Sequence, residues 1–269
     1  MRAVCLHAKD QIERVLRRNI FLHLYAIGDL DDFFWPYTSW YGWQHDDQIQ
    51  QIALLYSGTD VPTLLAFTEE PSALMPSFVR SLMRLLPRRV YAHLSLDLLP
   101  IVAEEYHVEQ HGLHYKMALT EPERLSQVDT SAVTALSTAD LDAIKKLYAA
   151  SYPGNWFDPR MLETGQYYGV WRGDRLVSVA GIHVYSREYR VAALGNVTTL
   201  PELRGQGLGT IVCAKLCQAL LETVDHIGLN VKADNLSALA SYRKLGFEPI
   251  AEYEECSLQL RSKVPADNL

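Results

Sequence analysis

LPELRGQGLGTIV, residues 200–212, sets three glycines at alternate positions, Gly205, Gly207 and Gly209, behind Arg204 and ahead of a long apolar run. Glycine at this density lets a backbone come close to a partner that a Cβ would hold off. A triphosphate-binding loop would need GxxxxGK followed by Ser or Thr, and no such string occurs. A dinucleotide fingerprint would need a glycine where Thr210 stands, although Asp225 lies at about the usual ribose distance of 20 residues. What remains is a strand, a glycine loop and a helix start. The free N–H groups and partial positive charge of a helix start suit a phosphate, and Arg204 adds a fixed cation.

Working outward, the flanking segments alternate strands with helices. Residues 10–30 read as two short helices, FFWPYTSWYGW, QIQQIALLYS and VPTLLAFTE as three strands, and PSALMPSFVRSLMRLL as a helix. RRVYAHLS is a strand, LDLLPIVAEEY a helix despite Pro100, and the segment through HYKMALT a closing strand. TEPERLSQVDTS, rich in turn residues, is the best linker. The order then begins again. SAVTALS is strand-like, and STADLDAIKKLYAAS is a helix with an S/T-x-x-D start. After the short helix DPRMLET come three strands, the glycine-led helix, the strand HIGLNVKAD, the helix LSALASYRKLG and a final strand. This parallel predicts two related α/β domains, only the second with the glycine loop.

With 269 residues the chain can hold one or two such domains. The net charge of -7 is shared almost evenly between the halves, without a basic run, which disfavours nucleic acid as the main ligand. Cys5, Cys213, Cys217 and Cys256 form no zinc spacing and no CxxC; Cys213 and Cys217, i,i+4 on an apolar helix, read as core. No export signal or membrane span is evident, so the expected location is the cytoplasm.

A second segment carries the identification further. In NLSALASYRKLGF, Asn235, Ala238 and Tyr242 share a helix face, Gly246 suits a left-handed helix end and Phe247 starts the next strand. RxxGxG at 204–209, with Pro201 upstream, resembles the acetyl-CoA pyrophosphate loop of the GNAT superfamily of N-acetyltransferases. The second segment resembles that family's N-x-x-A-x-x-x-Y-x-x-x-G-F, with its spacing intact. The likeness covers roughly residues 130–260. It implies a GNAT fold, with two GNAT-like domains that each have a central mixed, mostly antiparallel sheet flanked by helices. Residues 1–120 would be a degenerate copy, 121–130 a linker and 131–269 the catalytic domain, as in tandem glycine N-acyltransferase-like and mycothiol synthase-like chains.

The resemblance implies direct acyl transfer from acetyl-CoA, a co-substrate, to an amine, without a metal. Val197, Thr198 and Thr199 would pair with the pantetheine arm. Around the pyrophosphate it implies Arg204, Gly205, Gln206, Gly207, Leu208, Gly209 and Thr210. Ala238 would leave room on its helix face, and Tyr242 would protonate the departing thiolate. Asn235 would bond the pantetheine or cap its helix. The acceptor is a small-molecule amine or a peptide amine; neither nucleic acid nor membrane is expected, and a homodimer is left open.

Many relatives place a glutamate in the strand before the loop, whereas EYRVAALGNVTT has Glu188 only at its start. His183, Tyr185, Asn196 and His226 are the alternatives for a general base, beside a water chain or a less basic acceptor. The missing carboxylate keeps open a non-catalytic acyl-CoA-binding or scaffolding protein. Transfer of aminoacyl groups from tRNA is a third reading, opposed by the acidic balance. His107, His111 and His114 lack a carboxylate or Cys at a known metal spacing and read as strand or surface histidines. FFWPYTSWYGW reads as core or as the floor of an acceptor site, and GDLDD as a helix end or an attraction for a cationic amine.

Overall fold

Period-two and period-3.6 apolar patterns alternate along the chain, and each becomes an element of the computed structural model, which describes residues 1–69 and 72–261. In chain order the first are β1 (Arg2–Leu6), α1 (Lys9–Leu16), α2 (Leu24–Gly28), β2 (Thr38–His45), β3 (Gln48–Tyr56) and β4 (Thr63–Ala66). Next come α3 (Leu74–Leu82), β5 (Arg89–Leu94), α4 (Leu99–Val102), β6 (Tyr106–Leu119) and β7 (Thr134–Ala135). Then follow α5 (Leu141–Ser151), β8 (Tyr168–Arg172), β9 (Arg175–Ser186), β10 (Val191–Thr199), α6 (Leu208–Leu220), β11 (His226–Lys232), α7 (Leu236–Lys244) and β12 (Phe247–Leu260).

Contacts divide the chain into two units, each discontinuous in sequence. The first holds residues 1–18 and 32–114 and the chain from Glu252 onward. Its strands run β1-β2-β3-β4-β5, with β12 beside β5. All these neighbours are antiparallel except β4 and β5. The β2–β3 hairpin turns at Asp46 and Asp47, whose φ of 45° and 60° suit a tight two-residue turn. Met75, Phe78, Val79 and Leu82 of α3 pack on Ala92, Leu94, Cys256 and Leu258 to form this unit's core. Tyr91, His93, His114 and Tyr253 gather around Glu255. The Glu255 carboxylate accepts hydrogen bonds from the Tyr91 and Tyr253 hydroxyls and lies 3.5 Å from His93 Nε2.

The second unit holds residues 19–31 and 115–251, with strand order β11-β10-β9-β8-β7 and β6 beside β11. β10 and β11 pair in parallel. Val212, Cys213, Leu216 and Cys217 of α6 and Ile144 and Leu147 of α5 bury their apolar stripes in its core. The short helix α2 packs on this sheet because Gly28 has no side chain: a Cβ there would overlap Val184 Cγ1 at 1.9 Å. A box of Ser137 and Asp140 opens the helix region before α5, as the S/T-x-x-D string predicts.

Several local outcomes differ from the sequence pattern. Pro36 turns Trp35–Tyr37 into a 3-10 turn, so strand structure starts only at Thr38. SAVTALS contributes only Thr134–Ala135. LDLLPIVAEEY breaks into a 3-10 turn and the four-residue α4. The TEPERLSQVDTS segment is not loose: Pro122–Gln127 form a 3-10 helix whose Leu125 is buried, and Leu125 O accepts Gln218 Nε2.

Candidate active site

The site begins where two strands part. β10 and β11 pair in parallel from Val191 opposite His226 to Leu194 opposite Leu229, and no further. β10 nevertheless runs on to Thr199 and β11 to Lys232, so a cleft opens between their ends. A cause lies in β10 and β9, where the register slips twice. His183 is skipped between Ile182 and Val184, which pair with Leu194 and Ala193. A second slip falls between Gly195 and Thr198, where Asn196 takes a φ of 55°. Such bulges bend a strand and re-aim side chains. Val197, Thr198 and Thr199 therefore stand along one wall of the cleft, while Thr198 and Thr199 still pair with Val179 and Ser178 of β9.

At the end of β10 the chain turns through Pro201–Leu203 into the glycine loop. Gly205 and Gly207 have φ of 75° and 80°, which cost a residue with a Cβ ~1–2 kcal/mol, so glycine is required by conformation. A Cβ at either would meet nothing within 4 Å, so the space over the loop is open. Gly207 is the N-cap of α6, and no side chain caps that end. The first amides of α6, at Leu208, Gly209 and Thr210, thus end a 13-residue helix with no cap. Gln206 Oε1 accepts a hydrogen bond from Arg172. Arg204 gives Nε–H to Thr199 O at 3.2 Å and an Nη2 hydrogen to Ser151 O at 3.1 Å. It fixes the loop to the strand end and keeps other N–H groups for a ligand.

On α7, Tyr242 is buried, with its ring edge-on to Phe247. Burial, then the nearby Cys213 and Tyr25, push the phenol well above its ordinary value, so it holds its proton. Asn235 caps α7: its Oδ1 accepts Ala238 N–H at 3.2 Å, which leaves the amide NH2 as the part a ligand could meet. Ala238 is partly buried against the core, and Gly246 is left-handed at φ 94° beyond the helix end.

A strand pair that opens beside an uncapped, glycine-led helix can receive an extended ligand that ends in phosphate. Residues 138–247 match the family model for the acetyltransferase (GNAT) family. The chain carries a GNAT domain. Solved structures share the fold along almost the whole chain. A Drosophila protein superposes with a TM-score of 0.70 at 12% identity, covering 96% of this chain and 98% of its own. A GNAT-family acetyltransferase from Colwellia psychrerythraea gives 0.58 at 12% identity, covering 97% and 100%. A tandem GNAT protein from the clavulanic acid biosynthesis pathway gives 0.57 at 15% identity, covering 97% and 99%. No curated protein matches the sequence.

The second unit also contains two residues near the parted strands that the sequence did not flag. Asn230 stands on the β11 wall, past the last paired residue, and its buried Oδ1 lacks a hydrogen-bond partner. A polar residue between Leu229 and Val231 was the available signal, since an apolar strand holds an amide only at a cost. Tyr25 of α2 is the other: its ring meets His183, with Lys116 Nζ 5.3 Å from its centre. All four residues considered as bases make contacts, and the His183 ring meets Tyr25 and Trp156 edge-on. Tyr185 OH bonds Thr223 Oγ1, the His226 ring packs edge-on to Phe21, and Asn196 donates to Tyr167 OH. In GDLDD, Asp31 accepts the Ser186 hydroxyl and Asp32 pairs with Lys9. In FFWPYTSWYGW, Trp35 stacks on Trp40, so both stretches serve packing and turn structure. His111 bonds Ser257, and no group of three potential metal ligands occurs among the described residues. No helix there is long and apolar enough to cross a membrane.

Proposed function

We propose that the GNAT domain moves an acetyl group from acetyl-CoA to an amine acceptor. The observation that carries this reading is the parted β10–β11 pair leading directly into the uncapped helix α6. Pantetheine would lie in the cleft, its amides paired with the free edge at Val197, Thr198 and Thr199. The orphan Asn230 Oδ1 would accept an N–H from the same arm, which relieves a desolvation cost of ~1–3 kcal/mol. The pyrophosphate would meet the amides from Gln206 to Thr210, the α6 dipole and the spare hydrogens of Arg204. The amine nitrogen attacks the thioester carbonyl carbon, the C–S bond breaks and the thiolate takes the Tyr242 proton. Burial keeps Tyr242 protonated, so the proton is present when the thiolate leaves.

The test is calorimetric titration with acetyl-CoA, CoA and longer acyl-CoAs, followed by thiol release with a panel of amines. Micromolar binding at one site per chain with amine-dependent thiol release is the expected result. Binding without release would leave an acyl-CoA-binding scaffold. Failure of every acyl-CoA to bind would reduce RGQGLG to a turn.

A further inference from the structure

We infer that His183 is the general base that takes the proton from the acceptor, a role that rests on the acyl-transfer reading above. It is the residue that the β9–β10 register skips at its bulge, so the backbone irregularity bears on its direction. Its ring lies across Gly195, the first residue of β10 beyond the last β10–β11 pair. A Cβ at Gly195 would fall 1.7 Å from His183 Cδ2 and 2.4 Å from Nε2, so this strand position must be glycine for the imidazole to lie there. The imidazole therefore sits beside the point where the cleft opens, separated from it by one residue without a side chain.

Aromatic rings frame it. Tyr25 of α2 approaches edge-on with centroids 6.5 Å apart. Trp156, from the loop after α5, does so at 5.8 Å while remaining 40% exposed. A half-exposed indole beside a strand imidazole offers an aromatic face past which an alkylammonium can approach. The titratable groups on the surrounding elements are Tyr25 and Asp29 of α2, Lys116 of β6, Tyr152 after α5, and Tyr167, whose ring covers Gly181 of β9. Tyr167 is held protonated by burial. Imidazole is the side chain that ordinarily changes charge near neutral pH, as a base for an alkylammonium requires.

The step balances without another reagent. The ammonium gives one proton to a ring nitrogen of His183, its freed lone pair forms the C–N bond, and the C–S bond breaks to a thiolate that Tyr242 protonates. The acylated nitrogen sheds its second proton to solvent to leave the neutral amide. His183 then releases its proton to solvent, and Tyr242 regains one from solvent. With water in place of the amine, the same sequence yields acetate and CoA, which supplies a probe for an enzyme whose acceptor is unidentified.

The experiment measures acetyl-CoA affinity and slow acetyl-CoA hydrolysis, by thiol release over an enzyme-free blank, in wild type, His183→Gln and His183→Ala. Wild-type hydrolysis is expected to rise with pH through the ionisation of a base. His183→Gln should bind acetyl-CoA within ~2-fold of wild type, release thiol ~100-fold more slowly and lose that ionisation. Added imidazole should restore part of the rate to His183→Ala, which a packing role would not allow. Unchanged rate and pH profile in His183→Gln would overturn the assignment. Loss of acetyl-CoA affinity in both variants would do so too, by making the residue structural, as would a wild type that binds acetyl-CoA yet releases no thiol. A wild type that does not bind acetyl-CoA would instead refute the parent reading, and the base with it.

Discussion

Two buried ionisable side chains of the second unit carry opposite expectations at the scale of single residues. Tyr242 keeps its proton because burial, Cys213 and Tyr25 all oppose a phenolate. If it is the acid, Tyr242→Phe should lower kcat by ~100-fold while acetyl-CoA affinity changes little; thiol release and calorimetry on one preparation decide it. Asp29, at the end of α2, has no such use, and burial alone pushes its carboxyl up to about 8. The folded chain therefore holds a proton that the unfolded chain releases near its ordinary value. Stability from this residue is full below that value and falls as pH rises toward about 8. Asp29→Asn should remove the slope, gaining on wild type by up to ~1.4 kcal/mol per pH unit, as urea midpoints at about pH 5.5, 6.5 and 7.5 would show. Parallel curves for the two proteins would contradict it.

At the scale of elements, the glycine loop and the helix it starts were legible because their signals are local. A left-handed φ demands glycine, and a following apolar run demands a helix, so residues 204–210 fall where the string places them. Gly207→Glu combines a left-handed residue with a carboxylate at the positive end of α6. Acetyl-CoA affinity should drop by more than ~100-fold, while the strain costs only ~1–2 kcal/mol. Circular dichroism and calorimetry separate the two effects; retained affinity would remove the phosphate assignment. The parting of β10 from β11 was expected only through the family resemblance and not from the residues themselves, because register is decided by partners far away in sequence. The bulge at His183 arises from the pairing of β9 with β10, and its string, GIHVYS, is that of an ordinary strand. Asn230 stayed hidden too, because the lack of a partner for its side-chain oxygen depends on residues brought near by the fold.

On the scale of the whole molecule, each unit contains a parallel strand pair, and the two pairs differ in their ends. In the first unit β4 and β5 stay paired through Ala66 and Leu94, the last residues of both, and Ser95 N–H then bonds Ala66 O. That pair leaves no gap between strands, and the turn after it lacks the glycines. Sequence order suggested a cut near residue 120, but contacts assign residues 19–31 to the second unit, because α2 finds its apolar partners on β9, β10 and β11. A fragment of residues 115–261 should therefore fold poorly even though it spans the GNAT domain. It would expose the surface that Leu24 and Gly28 cover and lose Tyr25. Broad thermal unfolding and no acetyl-CoA binding are expected, and a sharp transition with intact binding would show that α2 is dispensable. The placement of β12 has a consequence for synthesis. Leu94 of β5 stands opposite Glu254, so the first unit's sheet lacks a strand until the ribosome has made nearly all of the described chain. At ~5–20 residues per second, β5 waits several seconds with an open apolar edge, and the usual order of N-terminal unit first is reversed. The nascent chain is a natural client for a holding chaperone during that interval.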